Sequence, residues 1–462
     1  MNRPRASLAI VLSLLISGCK VGPNYTRPTV STPAQYRGLA PDLAAQAAAQ
    51  SIAETKWESV LQDETLQALI KEALINNYDM QIAATRIQQA QAIVGVTRAN
   101  QLPNLYGTAG VDYLRNRLAP NGPTIDSVGI QLSYIADFWG KYRRGTEAAR
   151  AQLLATTYGR SVVQTALISD IATAYFQLRQ FDYRLDFSQQ AVTADKDILR
   201  INTLKYHGGE SAITDVYQAN LLVQQAEAEV INAQRGIEQT ENQISILLGR
   251  NPGSIGRGRV LNDQPHMATV PTGLPSTLLE RRPDVRQSEA VLMSANANVG
   301  VAKAAFFPQI SLTGQFGAQS TALTSFLQGP ATVWSVGAEA LQPLYAGGAI
   351  RSAYNLAWAQ RNEAELSYRQ TVQNAFGDVS NGLIGYNQSR LFRMKIEEQT
   401  NTYKETARLA NVRFKNGSTS FLEVLVTQQQ YFISQLALAQ AWNAELQSYV
   451  QLYQALGGGW NP

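Results

Sequence analysis

Cysteine and histidine are scarce in this chain of 462 residues, which narrows the chemistry that it can perform. The one cysteine is Cys19, so no disulfide can form within the chain, and the two histidines are His207 and His266. Two histidines so far apart in sequence provide no basis for a histidine-rich metal centre. The chain also has no Walker A loop, no H-E-x-x-H and no G-x-S-x-G sequence. The sequence therefore predicts a protein that is not an enzyme and that binds no cofactor and no metal.

Charged residues and long apolar runs are also few. Charged residues make up 16% of the chain, against about 25% in typical globular proteins. The net charge of +4 falls to about +2 once Arg3 and Arg5 leave with an N-terminal leader, which is not the strongly basic balance of a nucleic-acid-binding protein. After Cys19 the sequence has no run of 18 uncharged apolar residues, so no transmembrane helix is predicted. Any membrane crossing would then have to use β-strands.

The first 18 residues have the pattern of a secretory signal peptide. Two arginines precede an apolar stretch over 8–16, which is too short to span a bilayer as a helix. Ser17 and Gly18 then precede Cys19, an arrangement similar to the bacterial lipobox, in which the cysteine becomes the acylated N-terminus. We predict lipidation at Cys19. Lys20 follows it where an aspartate would retain such a lipoprotein at the inner membrane, which favours the outer membrane.

The chain contains a tandem duplication of about 205 residues. The stretch V-G-V-T-R-A-N-Q-L-P at 94–103 matches V-G-V-A-K-A-A-F-F-P at 299–308, at an offset of 205. An offset of 208 then relates S-V-G at 127–129 to S-V-G at 335–337 and continues through further pairs: Arg143 and Arg351, Asp170 and Asp378, Arg200 and Arg408, Gly209 and Gly417, Asp215 and Glu423. Chance matches would not keep one offset over more than a hundred residues.

Each repeat has the same predicted order of elements: a helix, two strands and a long helical hairpin. The proline-free stretches 141–204 and 349–414 begin the hairpins, and a helix over the first would be about 96 Å long. The resulting division of the chain is a signal peptide 1–18, an N-terminal segment 19–77, repeat 1 at 78–249, a linker 250–283, repeat 2 at 284–457 and a tail 458–462.

The last helical segment has a heptad pattern. Leu425, Phe432, Ala439, Leu446 and Tyr453 recur every seven residues, which is the period of a left-handed coiled coil. A second row interleaves with them: Leu422, Gln429, Leu436, Asn443 and Val450. Its polar members indicate that this helix packs on two sides.

The alternating stretches 105–113, 127–134, 309–316 and 335–341 read as four strands, each about as long as a membrane strand. Alternation by itself fits a half-buried strand of a soluble sheet better. Four strands leave two open edges, however, and an open edge is not tolerated in lipid. The sheet must therefore be buried in protein or shared between copies of the chain, with eight strands from two copies or twelve from three.

Four motifs, in order along almost the whole chain, resemble the outer membrane factor (TolC-like) family and its NodT-type lipoproteins. They are C-K-V-G-P-N-Y at 19–25, D-F-W-G-K-Y-R-R-G at 137–145, R-R-P-D-V-R at 281–286 and V-G-V-A-K-A-A-F-F-P-Q-I-S-L at 299–312. The resemblance implies a mainly α fold with a membrane β portion. It also implies a homotrimer with a shared 12-stranded β-barrel, a periplasmic helical tunnel and an equatorial collar.

The resemblance further implies an efflux duct that takes its cargo from an inner-membrane pump, often of the resistance–nodulation–division type, through a periplasmic adaptor. The exposed hairpin turns would dock the adaptor: Gly208, Gly209, Asn416, Gly417 and Ser418. A periplasmic coiled-coil structural or adaptor lipoprotein is the alternative, although it would not explain two pairs of alternating strands at matched positions.

The family closes its periplasmic end with residues just beyond the hairpin turns. Glu423 matches one acidic gate position, and Asp215 is its equivalent in repeat 1. A second family carboxylate is replaced by Val426, so the gate chemistry is only partly present. The two acids either line a constriction or are ordinary solvated acids on a helix surface. In the second case Leu422 or Phe421 is the candidate for the constriction.

Overall fold

The computed structural model describes residues 20–37, 51–113, 122–265, 270–321 and 331–460. The predicted signal peptide, Cys19 and His266 lie outside the described residues. Within them, nine α-helices and four β-strands form a fold that is mainly helical.

The elements repeat in the same order and with matching lengths, which confirms the predicted duplication. The helices are α1 (Trp57–Val60), α2 (Glu64–Asn76), α3 (Tyr78–Ala99), α4 (Lys141–His207), α5 (Ile213–Leu247), α6 (Leu278–Arg281), α7 (Pro283–Ala304), α8 (Ala349–Lys415) and α9 (Phe421–Ala455). The strands are β1 (Asn104–Tyr113), β2 (Thr124–Ala136), β3 (Gln309–Ser320) and β4 (Thr332–Leu341). Helices α3 and α7 both have 22 residues, α4 and α8 both have 67, and α5 and α9 both have 35.

All four hairpin helices end in the same way. After α4, the Glu210 amide donates to the Lys205 carbonyl at 2.8 Å and Gly209 has φ +77°. After α8, the Ser418 amide donates to the Arg413 carbonyl at 2.9 Å and Gly417 has φ +70°. This is the Schellman ending, which requires a left-handed residue that glycine adopts without strain. Helices α5 and α9 end in the same way, with Gly249 and Gly457 as the left-handed residues and the equivalent hydrogen bond from the amide of the next residue.

The chain forms two compact units, and each unit uses both repeats. The first, here the strand unit, contains the described parts of 1–29, 85–157 and 287–370. The second, the hairpin unit, contains the described parts of 30–84, 158–286 and 371–462.

The strand unit has one antiparallel sheet with the order β1-β2-β3-β4. Its register places Leu132 opposite Leu105 on one side and opposite Gly314 on the other, and it places Phe316 between Ile130 and Trp334. The predicted strands are confirmed, and each observed strand is longer than the alternating stretch from which it was predicted. Because successive residues point to opposite faces, this register brings the apolar positions of all four strands onto one face.

The hairpin unit confirms the first predicted heptad row in α9 except at Leu425, which is only partly buried. Phe432, Ala439, Leu446 and Tyr453 are buried in that row. The second row is wrong over its first half, because Leu422 is 55% exposed and Gln429 is also exposed. Its second half is buried, at Asn443 and Val450, and several positions outside both rows are buried with it: Leu438, Ala441, Tyr449 and Leu452. The later half of α9 therefore packs on more than one side, as its polar seam residues predicted.

One buried carboxylate fastens the linker after α5 to the hairpin unit. Asp63 caps α2 through the Thr65 amide at 2.9 Å, and its other oxygen accepts from Tyr175, the Arg259 amide and Gln264 at 3.0, 2.9 and 2.8 Å. Burial alone would raise the pKa of Asp63, but these hydrogen bonds outweigh it and hold the pKa below its usual value.

Candidate functional site: the sheet face and the hairpin ends

The sheet of the strand unit has one apolar face, and no described residue covers it. In this article "apolar sheet face" means the following residues: Leu105, Ala109, Val111, Val128, Ile130, Leu132, Ile310, Leu312, Phe316, Trp334, Val336 and Ala338. Phe316 is 63% exposed, Trp334 74% and Val336 80%. A contiguous exposed apolar surface that extends over four strands marks contact with protein or lipid. The alternative of a half-buried soluble sheet does not fit, since such a sheet would bury this face.

The opposite face of the sheet is polar. Its register brings together Thr108, Gln131, Thr313, Gln315 and Glu339, with glycines between them. Polar side chains on one face and apolar side chains on the other are the arrangement of a strand between lipid and water.

The two outer strands of the sheet each keep one open edge within the described chain. Strand β1 pairs with β2 alone, and β4 pairs with β3 alone. Each strand has 10 to 13 residues, whereas a tilted strand needs about 9–11 to cross a bilayer. The strands are therefore long enough to span, and the open edges need partners.

The residues after Cys19 form a strap, here residues 20–27, that lies on helices from both repeats. Arg144 of α4 is 2% exposed and donates to the Val21 carbonyl at 3.2 Å and to Asn24 at 2.8 Å. From α7, Glu289 accepts from Arg27 at 2.7 and 2.6 Å and from the Tyr25 hydroxyl at 3.1 Å. Helix α4 of repeat 1 and helix α7 of repeat 2 thus converge on one segment.

Two glycines let the strap lie close to α7. Gly22 has φ +97°, and a Cβ on it would lie 2.4 Å from the Cα of Gly300. Any larger residue at either position would force the backbones apart. Burial and the nearby Glu289 carboxylate raise the pKa of Tyr25, so this hydroxyl stays protonated and remains a donor.

The D-F-W-G turn after β2 is fastened to the start of β3. Trp139 stacks on Phe307 with ring centroids 4.6 Å apart, and its indole nitrogen donates to the Pro308 carbonyl at 2.8 Å. The Arg143 side chain pairs with Asp137 at 3.4 Å, and the Arg143 amide donates to the same carboxylate at 2.9 Å. The motif holds the junction of sheet and long helix.

The R-R-P-D motif forms contacts within the hairpin unit. Arg282 forms ion pairs with Asp284 at 2.6 Å and with Asp378 of α8 at 2.9 Å. The Arg281 carbonyl accepts from the Trp460 indole at 2.7 Å, and this contact fastens the end of the chain. In the sequence, these motifs indicate the family resemblance but do not predict these contacts.

The ends of the two hairpins pack together through a small apolar core, here the tip cluster. Its buried members are Ala219, Ala410, Phe421 and Val424, with Ile198, Leu199 and Phe414 packed against them. Phe421 is 4% exposed. It therefore supports the hairpin ends from inside, whereas Leu422 next to it is 55% exposed.

The two candidate gate acids have different surroundings. Glu423 accepts from Arg413 at 2.7 Å and from the Thr419 hydroxyl. No described side chain pairs with the Asp215 carboxylate, which is partly exposed near the start of α5. The predicted adaptor-docking residues Gly208, Gly209, Asn416, Gly417 and Ser418 are all exposed. Of the two candidate gate acids, Glu423 is thus neutralised within the described chain and Asp215 is not.

Among the residues that the structure describes, no group of three histidine, cysteine, aspartate or glutamate side chains is placed to hold a metal ion. No helix in the described part of the chain has an 18-residue stretch apolar enough to cross a membrane.

Comparison with known proteins gives full-length relatives. The chain is 34% identical over 465 positions to the solvent efflux pump outer membrane protein SrpC of Pseudomonas putida, and the match covers 98% of each chain. It is 28% identical over 466 positions to the cation efflux system protein CusC of Escherichia coli O6:H1, with 99% of each covered. The crystal structure of the CmeC outer membrane channel of Campylobacter jejuni superimposes with a TM-score of 0.89 at 26% identity, covering 96% of this chain and 95% of that one.

The sequence profile of outer membrane efflux proteins matches residues 69–250 and 274–458, one match to each repeat. Together with the full-length relatives, this match confirms the resemblance drawn from the four motifs. The chain belongs to the outer membrane efflux protein family.

Proposed function

We propose that this protein is the outer-membrane channel of a tripartite efflux system. It is a passive duct rather than an enzyme, and it receives its cargo from an inner-membrane pump through a periplasmic adaptor. The apolar sheet face carries the proposal, because a water-exposed sheet would not leave Trp334 and Val336 uncovered. The same face counts against a periplasmic coiled-coil or adaptor lipoprotein, which has no use for a lipid-facing sheet.

The assembly that we propose is a homotrimer. Four strands with two open edges cannot stand alone in lipid, where every backbone group needs a partner. Pairing β1 of one copy with β4 of the next removes all open edges, and three copies give a barrel of twelve strands. Three copies of the paired hairpins would likewise give a tunnel of twelve helical segments in the periplasm.

Native mass spectrometry of the detergent-purified protein tests the assembly. We expect a complex of three chains that conducts ions in planar bilayers. A folded monomer whose apolar sheet face is covered by detergent alone would contradict the shared barrel.

We propose that Cys19 is acylated and anchors the strap at the inner leaflet of the outer membrane. The lipobox-like run before Cys19 and the docking of the strap right after it support this assignment. Mass spectrometry of the mature N-terminal peptide should give an acylated cysteine. An unmodified peptide with another first residue would exclude the anchor while leaving the channel proposal intact.

We propose that the hairpin ends are both the docking site of the adaptor and the gate. In a trimer, three copies of Asp215 and Glu423 would place six carboxylates near one aperture, with Leu422 exposed beside them. Arg413 neutralises Glu423 within each chain, so Asp215 supplies the free charge of the resting aperture. Since Phe421 belongs to the tip cluster, we assign it to support of the hairpin ends.

A further inference from the structure

The hairpin unit contains a cavity of about 220 Å³ between α4, α5 and α9. Three aromatic rings line it: Phe187 lies 5.8 Å from Tyr431 at 87° and 5.7 Å from Phe432, measured between ring centroids. Leu222 and the amides of Gln225 and Gln428 complete much of the remaining wall. The cavity begins about one helical turn from the tip cluster, since Leu222 follows Ala219 and Gln428 follows Val424, but none of its lining residues belongs to that cluster or to the hairpin turns.

One carboxylate lines this cavity, and it has no partner in the described chain. Asp195 is 8% exposed, and no described residue donates a hydrogen bond or ion pair to it. Burial raises its pKa to about 6, and no neighbouring charge contributes to that rise. A buried carboxylate without a partner is costly, so its presence needs an explanation.

The cations of α4 on either side of the cavity residues are already paired, and the nearby acid Asp186 accepts from Gln190 at 2.8 Å. Lys196 of α4 pairs with Glu227 of α5 at 2.7 Å, and Arg184 of α4 pairs with Glu229 of α5 at 2.5 Å. Helix α9 has no charged residue between 424 and 444. The Tyr431 hydroxyl, on α9, accepts from Gln435 at 2.9 Å. No cation of the described chain is therefore available to Asp195.

The two α4 residues that define the cavity, Phe187 and Asp195, are not repeated at the equivalent positions of α8. At the offset of 208, Phe187 corresponds to Lys395 and Asp195 corresponds to Tyr403. Lys395 is paired with Glu398 at 2.9 Å on the surface of α8. Repeat 1 thus supplies the acid and one ring, repeat 2 supplies the other two rings, and the reciprocal cavity is not formed by the equivalent residues.

We propose that this cavity binds a small organic ammonium ion, with Asp195 as its counter-ion and Phe187, Tyr431 and Phe432 as an aromatic wall. Aromatic faces attract cations and the carboxylate supplies the opposite charge, which together select an amine with an apolar body. A metal ion fits less well, because magnesium and calcium require six or more oxygen ligands and the lining offers one carboxylate. None of the cavity residues is a candidate gate residue or a predicted adaptor-docking residue.

Calorimetric titration of the full-length protein in detergent tests the site with three probes of similar shape: benzylammonium, benzyl alcohol and benzoate. We expect benzylammonium to bind, and the neutral and anionic probes to bind at least about tenfold more weakly. Affinity for benzylammonium should fall between pH 8 and pH 5, as Asp195 takes up a proton. Magnesium chloride in place of the amine should give no heat beyond dilution.

Two variants form a matched pair for this test. Asp195→Asn removes the charge in the cavity and should reduce benzylammonium affinity by about tenfold or more while abolishing the pH dependence. Asp197→Asn removes an exposed acid two residues away, which pairs with Arg200 on the surface, and should leave both unchanged. Native mass spectrometry of each variant verifies the same assembly.

Three outcomes would overturn the proposal. One is the absence of benzylammonium binding at millimolar concentration, and another is equal binding of benzyl alcohol. The third is an equal effect of the two substitutions. Each of these leaves the channel assignment untouched, because that assignment depends on the sheet and the trimer.

Discussion

At the scale of single residues, the two candidate gate acids differ in their surroundings. Glu423 and Asp215 are equivalent by duplication, yet Arg413 pairs with Glu423 alone. Sequence comparison found both acids but could not predict this difference, because it depends on the side-chain geometry at the ends of α8 and α9.

We expect the Asp215→Ala, Glu423→Ala double variant to lose cation selectivity in planar bilayers, because a ring of carboxylates attracts cations. The single Asp215→Ala variant should account for most of the loss, since Glu423 is already neutralised by Arg413. Trimer stability should hardly change, as surface carboxylates contribute little to folding. If the double variant keeps wild-type selectivity, both residues are ordinary surface acids. Leu422 is then the remaining candidate for the constriction.

Asp195 makes the stability of the protein depend on pH. Its pKa rises from 3.8 to about 6 on folding, so the folded state binds the proton more tightly than the unfolded state. Stability should therefore fall as the pH rises from about 4 to about 6, by up to about 3 kcal/mol per chain, and stay low above that range. Asp195→Asn should remove this dependence and melt at a higher temperature than wild type at pH 8 in thermal unfolding. Identical pH profiles for the two proteins would show that the folded state does not penalise the charge.

At the scale of elements, the turn of the first hairpin tests how much one left-handed backbone conformation affects the stability of the hairpin end. Gly209 has φ +77° and a Cβ there would meet no atom within 4 Å, so Gly209→Ala changes conformational strain and little else. We expect a destabilisation of about 1–2 kcal/mol, seen as faster hydrogen exchange confined to the end of the first hairpin.

Gly208 is the matched control, because it precedes Gly209 and does not have a positive φ. Gly208→Ala should leave hydrogen exchange unchanged or slow it slightly. Equal exchange in the two variants would mean that the Schellman ending does not limit the opening of the turn.

The strap depends on buried hydrogen bonds that one substitution can remove. Arg144→Met should release residues 20–27, because the Val21 carbonyl and Asn24 lose their donor at a cost of about 1–3 kcal/mol. Limited proteolysis should then cut the strap faster than in wild type. Lys20→Met is the control: its ion pair with Glu147 is exposed, so the cleavage rate should stay the same.

At the scale of the whole molecule, the apolar sheet face allows a test of membrane insertion. Val336→Asp places a charge where Val336 is 80% exposed, at a cost of up to a few kcal/mol near the bilayer midplane. We expect less trimer in the outer-membrane fraction. Gly337→Asp is not a suitable control, since a Cβ there would meet Thr313 at 3.0 Å. Glu339→Gln on the polar face should insert as wild type does.

Much of the fold could be predicted from sequence, because periodicity and duplication are properties of the chain itself. The strands, the 67-residue helices and the glycine turns all follow from alternation, proline spacing and a constant offset. The Asp195 cavity and the Arg144 contacts could not be predicted. A buried carboxylate and a buried arginine look like surface charges in a helical sequence until the packing of other helices around them is known.

The contacts of the strap also set an order of events during biogenesis. Residues 20–27 lie at the start of the chain, but the groove that holds them requires Arg144, Glu289 and Gly300. In the proposed lipoprotein, the strap can thus take its final place only after some 280 further residues have been exported. We therefore expect the proposed acylation of Cys19 to precede closure of the groove, since closure requires both repeats.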